Sequence, residues 1–274
     1  MAKKTKSNRK KLNNKNNSKL SVFFLVLAII SFLAAGTIFG LNAYKSHASK
    51  VEDDATAKQA IDIIDSYTND SAIKVLDKKK LGEKIVEGLQ QTYGNDRVTG
   101  LLEGGPLISP YPIIGTKSID DENYWLRHDL QGNWTWDGTL FTDFKADPNF
   151  DNWNTTIFGH RMKNLHMFGT FRYFENQEEY DNLVKEGKDV FTLSSAQGKK
   201  KYKVASVIMT QLYDRTFFRV DKDKQWLKDN LEKSVVNTNI NKDEVLNAKS
   251  FITLVTCTNE SGPNRTILLC YQVD

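Results

Sequence analysis

Cysteine is nearly absent from this chain of 274 residues, which has only Cys257 and Cys270. Two cysteines cannot build the multi-bridge framework of a small disulfide-held secreted domain, and allow at most one bridge. Histidine is also scarce, with four residues in all. None lies in an HExxH or other paired-His spacing, and no CxxC occurs, so a zinc site is not indicated. The first 19 residues contain no acid, and Leu20 to Tyr44 carry no charge of either sign. No internal repeat or low-complexity segment follows residue 45, which argues against a solenoid or a fibrous chain.

The charge that is present is unevenly placed. Eight of the 38 Lys and Arg residues fall in residues 1–19, leaving 30 basic against 34 acidic residues in the remainder. The positive charge therefore belongs to a Lys- and Asn-rich tail, which is expected to be disordered. A nucleic-acid binder would keep its basic patch on the folded part, so no nucleic-acid partner is indicated. The run that follows the tail, "LSVFFLVLAIISFLAAGTIFGLNAY", exceeds the ~20 apolar residues needed to cross a hydrocarbon core. A buried core helix is seldom apolar on every side. A cleaved signal peptide is the rival reading, and "FLAAG" offers it small residues, but its apolar region spans only ~7–15 residues. The expectation is an uncleaved single-pass anchor in the cell membrane. The positive-inside rule then leaves residues 1–19 in the cytoplasm and everything after Tyr44 outside.

Beyond the anchor, Ala57, Ile61, Ile64 and Tyr67 recur at helical spacing, as do Leu81, Ile85, Leu89 and Tyr93. This predicts a helical pair, broken at Asn69-Asp70 and ended by Gly94-Asn95. After Asn95 the texture changes to eight short runs rich in β-branched and aromatic residues: "VTGLL", "YPIIGT", "GTLFTDF", "NTTIFGH", "DVFTLSS", "KKYKVASVIMTQLY", "FITLVTC" and "RTILLCYQV". Short strands between turn signals predict a mainly β sandwich or barrel. Two helical insertions interrupt it, "NQEEYDNLVKEG" and "DKDKQWLKDNLEKSV".

Two residues stand where strands end. His160 follows "TTIF" and a Gly, and Cys257 closes "FITLVTC". Alternation puts Phe251, Thr253, Val255 and Cys257 on one face of their strand. In the next run Arg265, Ile267, Leu269 and Tyr271 share a face, with Cys270 on the other beside Leu268. The short "TNESGPN" loop makes these two strands antiparallel neighbours. Two readings stay open on residue types alone. Cys257 is a reactive thiol with Cys270 a small core residue, or the two form a disulfide in an anchored extracellular binding module.

"TLVTC", with an Arg opening the following strand, resembles the signature of the sortases. "NTTIFGHRMKNLHMFGTFRYF" resembles the class B sortase segment around the catalytic His, and "YPIIGTKSIDDENYWLRHDLQGNWTWDGTLFTDF" resembles the class B approach to its Gly-Thr-Leu-Phe strand. The resemblance covers about Val98 to the C-terminus. It implies an eight-stranded sortase-type barrel with an N-terminal helical pair and an inserted helix before the Cys strand. The implied organisation is a tail (1–19), a membrane anchor (20–44), a helical region (45–95) and a catalytic domain (96–274). Cys257 is then the nucleophile, His160 the general acid/base and Arg265 the oxyanion or substrate clamp. Asn259 and Glu260 are candidates for orienting His160. Val255 and Thr258 stand where class B members often carry Ser or an acidic residue. The implied reaction cleaves an NPxT-like sorting signal of a secreted protein through a Cys thioester, resolved by an amine of a cell-wall peptide precursor. A class B-like pilin polymerase using a Lys amine is the alternative acceptor. No metal or cofactor is implied.

Overall fold

The computed structural model describes residues 2–69, 78–211, 218–257 and 264–274. It divides into two compact units, Met1–Ala48 and Ser49–Asp274. Helix α1 (Ala2–Asn69) supplies the first unit and ends within the second. Its stretch Phe23–Leu41, 19 residues of mean hydropathy 2.5 with none buried, is long and apolar enough to cross a membrane. The tail departs from the expected disorder, since α1 already begins at Ala2. Nucleating a helix is costly but extending one is not, so an apolar helix can carry a polar flank of poor intrinsic propensity.

In the second unit the end of α1 is followed by α2 (Lys78–Tyr93). Gly94, at φ 61°, takes the left-handed conformation that stops α2. The expected break after α1 agrees with its end at Asn69, while Asp70 lies outside the described residues. The α2 stripe holds, with Ile85, Leu89 and Tyr93 all buried, and each fully buried aliphatic contributes roughly 1.5–3 kcal/mol. The α1 stripe needs a correction. Ile61 is 43% exposed, and Ala57 and Ala60 are the residues packed inward. The buried face runs through 57, 60, 64 and 67, with Ala60 rather than Ile61 in the inward position.

All eight predicted runs are strands: β1 (Val98–Gly104), β2 (Tyr111–Ile114), β3 (Leu140–Thr142), β4 (Asn154–His160), β5 (Val190–Ser195), β6 (Gly198–Gln211), β7 (Phe251–Cys257) and β8 (Asn264–Gln272). They close into a barrel in the order β1-β2-β3-β4-β7-β8-β6-β5. Closure leaves no exposed sheet edge. Most neighbours are antiparallel, but β2 with β3 and β4 with β7 run parallel. Parallel neighbours need a long crossover. Between β4 and β7 that crossover holds a 3-10 turn (Gly169–Phe174), α4 (Gln177–Lys185), β5, β6, α5 (Lys224–Glu232) and α6 (Lys242–Leu246).

The sequence of β7 shows how the barrel is filled. Ile252 and Leu254 join Ile113, Ile157, Phe171, Leu268 and Cys270 in the interior cluster. Val255 joins Phe158 and Ile267 beneath Ala60, Ile85 and Leu89 of the helical pair. Phe251 joins Leu269 and Tyr271 beneath Leu227 of α5 and Val245 of α6. A strand covered on both sides reads as a nearly continuous apolar run, which is the texture of "FITLVTC". One short helix had no periodicity to reveal it. This is α3 (Ile119–Trp125), which depends on its cap: Ser118 Oγ accepts the Asp121 N–H at 3.2 Å, and Asp120, Asp121 and Glu122 fill its first turn.

Candidate active site

The parallel pairing of β4 with β7 runs in unbroken register from Asn154↔Phe251 to His160↔Cys257. Both strands end on that last pair. Neighbouring strands lie about 4.8 Å apart, so the backbones of His160 and Cys257 are adjacent although 97 positions separate them in the chain. On the other side of β7, strand β8 pairs antiparallel from Phe251↔Tyr271 to Val255↔Ile267. Thr256 continues the register: its Oγ1 accepts the Thr266 N–H at 3.0 Å. Arg265 is the second residue of β8, the strand paired with β7. The three residues singled out in the sequence therefore occupy the ends of three consecutive strands, with Cys257 in the middle.

The same register closes the disulfide reading. Cys270 is paired with Ile252, five residues from Cys257 along β7, or about 16 Å at 3.3 Å per residue. A disulfide needs Cα atoms within ~7 Å. Cys270 is a free, fully buried thiol in the barrel interior. Burial, with the Asp189 carboxylate adding to it, pushes that thiol well above its ordinary pKa.

His160 is 3% exposed, and its Nε2 lies 2.7 Å from the Leu126 carbonyl oxygen. A carbonyl only accepts, so Nε2 is the nitrogen that carries a proton in this contact. Leu126 caps the C-terminus of α3, and α3 is fastened to the barrel through Asp121. Arg97 Nη1 and Trp125 Nε1 donate to its Oδ1 at 2.9 and 3.0 Å, and the Lys117 N–H donates to its Oδ2 at 2.8 Å. Arg97 Nη2 also donates to the Gly115 carbonyl at 2.6 Å. Burial acts to raise the Asp121 pKa, but the Arg97 hydrogen bond, the Lys117 N–H and the Arg97 charge outweigh it and hold the carboxyl below its ordinary value. Gly138, at φ 62°, makes room for the Leu126 carbonyl, since a Cβ there would sit 2.5 Å from that oxygen. Gly159 has a parallel reason beside His160: a Cβ would meet Leu140 and Phe168 at 2.4 and 2.7 Å.

Asn259 and Glu260, expected as candidates to orient His160, lie outside the described residues, as does Thr258. Val255 is buried in the layer beneath the helical pair. Of the other histidines, His128 stacks on the Tyr124 ring at 3.7 Å. His166 is 2% exposed. It sits in the tight return after β4, where Arg161 bridges to Met167 and both Leu165 and Met167 adopt positive φ. Strained non-glycine backbone of this kind persists only where the surroundings over-determine it.

A closed barrel whose parallel strand pair ends in a histidine and a cysteine, with an arginine one strand further on, is the framework of a cysteine acyl-transfer enzyme. The sequence matches the Sortase domain family over residues 118–273, more than half its length, and the chain belongs to that family of cysteine transpeptidases. Its relatives include sortase B of Listeria monocytogenes, 27% identical over 245 residues spanning 88% of this chain and 89% of the relative. Sortase B of Staphylococcus aureus is 29% identical over 170 residues, or 60% and 64% of the two chains. The fold is shared with the solved Staphylococcus aureus sortase B-substrate complex, at a TM-score of 0.66 and 19% identity, over 83% of this chain and 99% of that one. The class B resemblance and the eight-stranded barrel are both borne out.

What the sequence did not announce is the support around His160: the Leu126 carbonyl and Gly138. A backbone carbonyl has no side-chain signature. Gly138 at the head of "GTLFTDF" was the one available signal.

Proposed function

We propose that this chain is a membrane-anchored class B transpeptidase that cleaves an NPxT-like sorting signal in a secreted protein and joins the freed acyl group to an amine of a cell-wall peptide precursor. In this reading residues 1–19 are a cytoplasmic tail, 20–44 the anchor, 45–95 the helical region and 96–274 the extracellular catalytic domain. The observation that carries it is the register that ends β4 and β7 together on His160 and Cys257. The relatives named sortase B, and the substrate complex of one of them, support the substrate class.

The chemistry follows from the three residue types. Cys257 attacks as its thiolate, scarce at neutral pH for an unperturbed thiol and favoured by a neighbouring imidazolium. Sulfur bonds to the carbonyl carbon of the Thr, and the oxygen takes up negative charge that the Arg265 guanidinium stabilises. Collapse of this intermediate expels the peptide amine, which takes its proton from His160 Nδ1, leaving a thioester on Cys257. The incoming amine then attacks the thioester, His160 recovers the proton, and the thiolate departs. The Leu126 carbonyl holds the ring through Nε2 in both directions.

The test is intact-mass analysis of the full-length chain in detergent micelles after incubation with NPxT-like peptides. An acyl adduct on Cys257 should accumulate without an amine and turn over when one is added, with ping-pong kinetics. Hydroxylamine should release it as a hydroxamate. The absence of any adduct across a panel of sorting peptides, with the Cys257 thiol shown to be free, would overturn the reading.

A further inference from the structure

Beside each of the three proposed chemical residues stands a neighbour tied into one hydrogen-bonded cluster. Arg161 follows His160, Thr266 follows Arg265, and Thr256 precedes Cys257. Glu175 is the hub. Arg161 donates to it through both terminal nitrogens, Nη1 to Oε1 and Nη2 to Oε2, the second at 3.0 Å. Thr266 Oγ1 donates to the same Oε1 and accepts a long contact from Arg161 Nη1 at 3.4 Å. Thr266 is in turn held to Thr256, whose Oγ1 accepts its N–H at 3.0 Å and donates to its carbonyl at 3.3 Å. Both threonines are buried, and the Arg161 and Glu175 side chains are 26% and 17% exposed.

Glu175 itself is on a rigid footing. It caps the Gly169–Phe174 turn, whose Phe171 and Phe174 lie in the interior cluster. Arg172 pins that turn to the loop leaving β4, donating from Nη2 to the Met162 carbonyl at 3.1 Å and from Nε to the Gly169 carbonyl at 2.8 Å. The His160 carbonyl is held as well, accepting the Phe168 N–H at 2.8 Å. The cluster thus clamps together the ends of β4 and β8, the two strands that flank the Cys257 strand. A partly shielded bidentate Arg–carboxylate pair has a fixed geometry that a lone surface lysine pair lacks.

We propose that Glu175, with Arg161 and Thr266, is a positioning residue for the transfer reaction: it sets the spacing of His160 and Arg265 about Cys257 without touching the substrate. This rests on the roles proposed above for those three residues. Displacing a reacting group by a fraction of its contact distance slows the chemistry while leaving substrate binding nearly intact, which gives the proposal its signature.

The experiment uses the full-length chain in detergent micelles, an NPxT-like peptide and hydroxylamine as acceptor. Glu175→Ala should lower kcat by roughly 10- to 100-fold, the scale of a misplacement near 1 Å, with KM within about twofold of the parent. Glu175→Gln, which keeps an acceptor for Thr266, should recover part of the rate, and Thr266→Val should fall between. Glu175→Ala combined with Arg161→Ala should be no slower than the worse single variant, because one unit has been removed twice. Urea midpoints are recorded alongside. A parent-like kcat in Glu175→Ala, or a loss of kcat that only tracks the unfolded fraction, overturns the proposal. Where Glu175→Ala does not fold, Glu175→Gln and Thr266→Val decide it, and parent-like kcat in both overturns it. A second arm separates this failure from that of the wider reading. The pH profile of Cys257 alkylation by iodoacetamide, read by peptide mass, requires no peptide substrate. If His160→Ala leaves that profile unmoved, the assigned roles fall and the positioning role with them. If His160→Ala moves it while Glu175→Ala leaves both profile and kcat at parent values, only the positioning role falls.

Discussion

Cys257 and Cys270 stand on neighbouring antiparallel strands, toward opposite ends of the pair. Cys270 is the seventh of the nine residues of β8, fully buried among Leu254, Leu268 and Ile252, with its thiol pushed up by burial. Cys257 is the last residue of β7, level with His160 on one side and next to the start of β8 on the other. A thiol becomes a nucleophile by having a partner that favours its anion, and the interior of a barrel offers none. In the proposed reaction a strand end does, because strands from distant parts of the chain stop there together and bring His160 level with Cys257. The residue type is the same, and the proposed difference in chemistry rests on its place along the strand.

The sharpest way to break this contrast is to delete each sulfur. Cys257→Ala should abolish the acyl adduct while the chain keeps its urea midpoint. Cys270→Ala should retain the adduct and most of the rate. A variant pair in which both lose activity equally, or in which Cys270 alone is needed, would reverse the assignment.

The partners of the Cys257 strand end come next. Arg265→Ala should slow acylation by roughly 10²–10³, the scale for losing one oxyanion donor. Arg265→Lys should recover only part of that, since a point charge cannot reproduce a planar fork. His160→Ala should cost at least as much, because it removes the imidazole that favours the thiolate and the proton source for the leaving amine. His128→Ala is the control and should stay within a few-fold of the parent. His166→Ala should act on stability, given its burial.

A smaller effect tests the support of His160 from α3. Gly138→Ala places a methyl group against the Leu126 carbonyl at a positive φ, and such strained backbone costs ~1–3 kcal/mol. Both the urea midpoint and kcat should fall, and a loss of kcat beyond that of stability would show that the carbonyl has been displaced from Nε2. On the Cys270 side, deleting one buried heavy atom should cost about 0.5–1.5 kcal/mol, read from the same urea curves.

The smallest effect is one of pH. Asp121 has a folded-state pKa below its ordinary value, so its contribution to stability is present above the unfolded pKa of ~3.9 and is lost as pH falls through the lower folded value. Asp121→Asn should therefore be less stable than the parent near neutral pH, and the difference should shrink in acid. A gap between the two unfolding curves that is constant from pH 7 to below pH 3 would show that the carboxylate charge is not what fastens α3.

Much of the fold was legible because its signals are local. Eight apolar runs bounded by turn residues became eight strands, and the α2 stripe became a buried face. Ile61 was misplaced because Ala60, a small residue, gave little apolar signal at the position that packs closest. His166 stands among polar neighbours such as Lys163 and Asn164 in the sequence, yet the chain turns back sharply there and buries it. Within the site, His160, Cys257 and Arg265 were picked out by strand-end position and by motif. Glu175 was not, since nothing in "YFENQ" distinguishes a carboxylate aimed at β4 and β8 from one in solvent.

By itself the sequence determined what each segment could become: the apolar run its length, the β runs their alternation, and the cysteines the side of their strands. Those properties depend on nearest neighbours and on a period of 2 or 3.6 residues, so they survive without knowledge of partners. The tertiary structure alone decided which strands lie together. The long crossover after β4 makes β7 its parallel neighbour, and closure of the barrel sets the register at which they end. Adjacency of this kind is a non-local outcome of covering both faces of a closed sheet, and no window of the chain encodes it. It places His160 beside Cys257, brings the Leu126 carbonyl to the imidazole, and joins Glu175 to two strands at once.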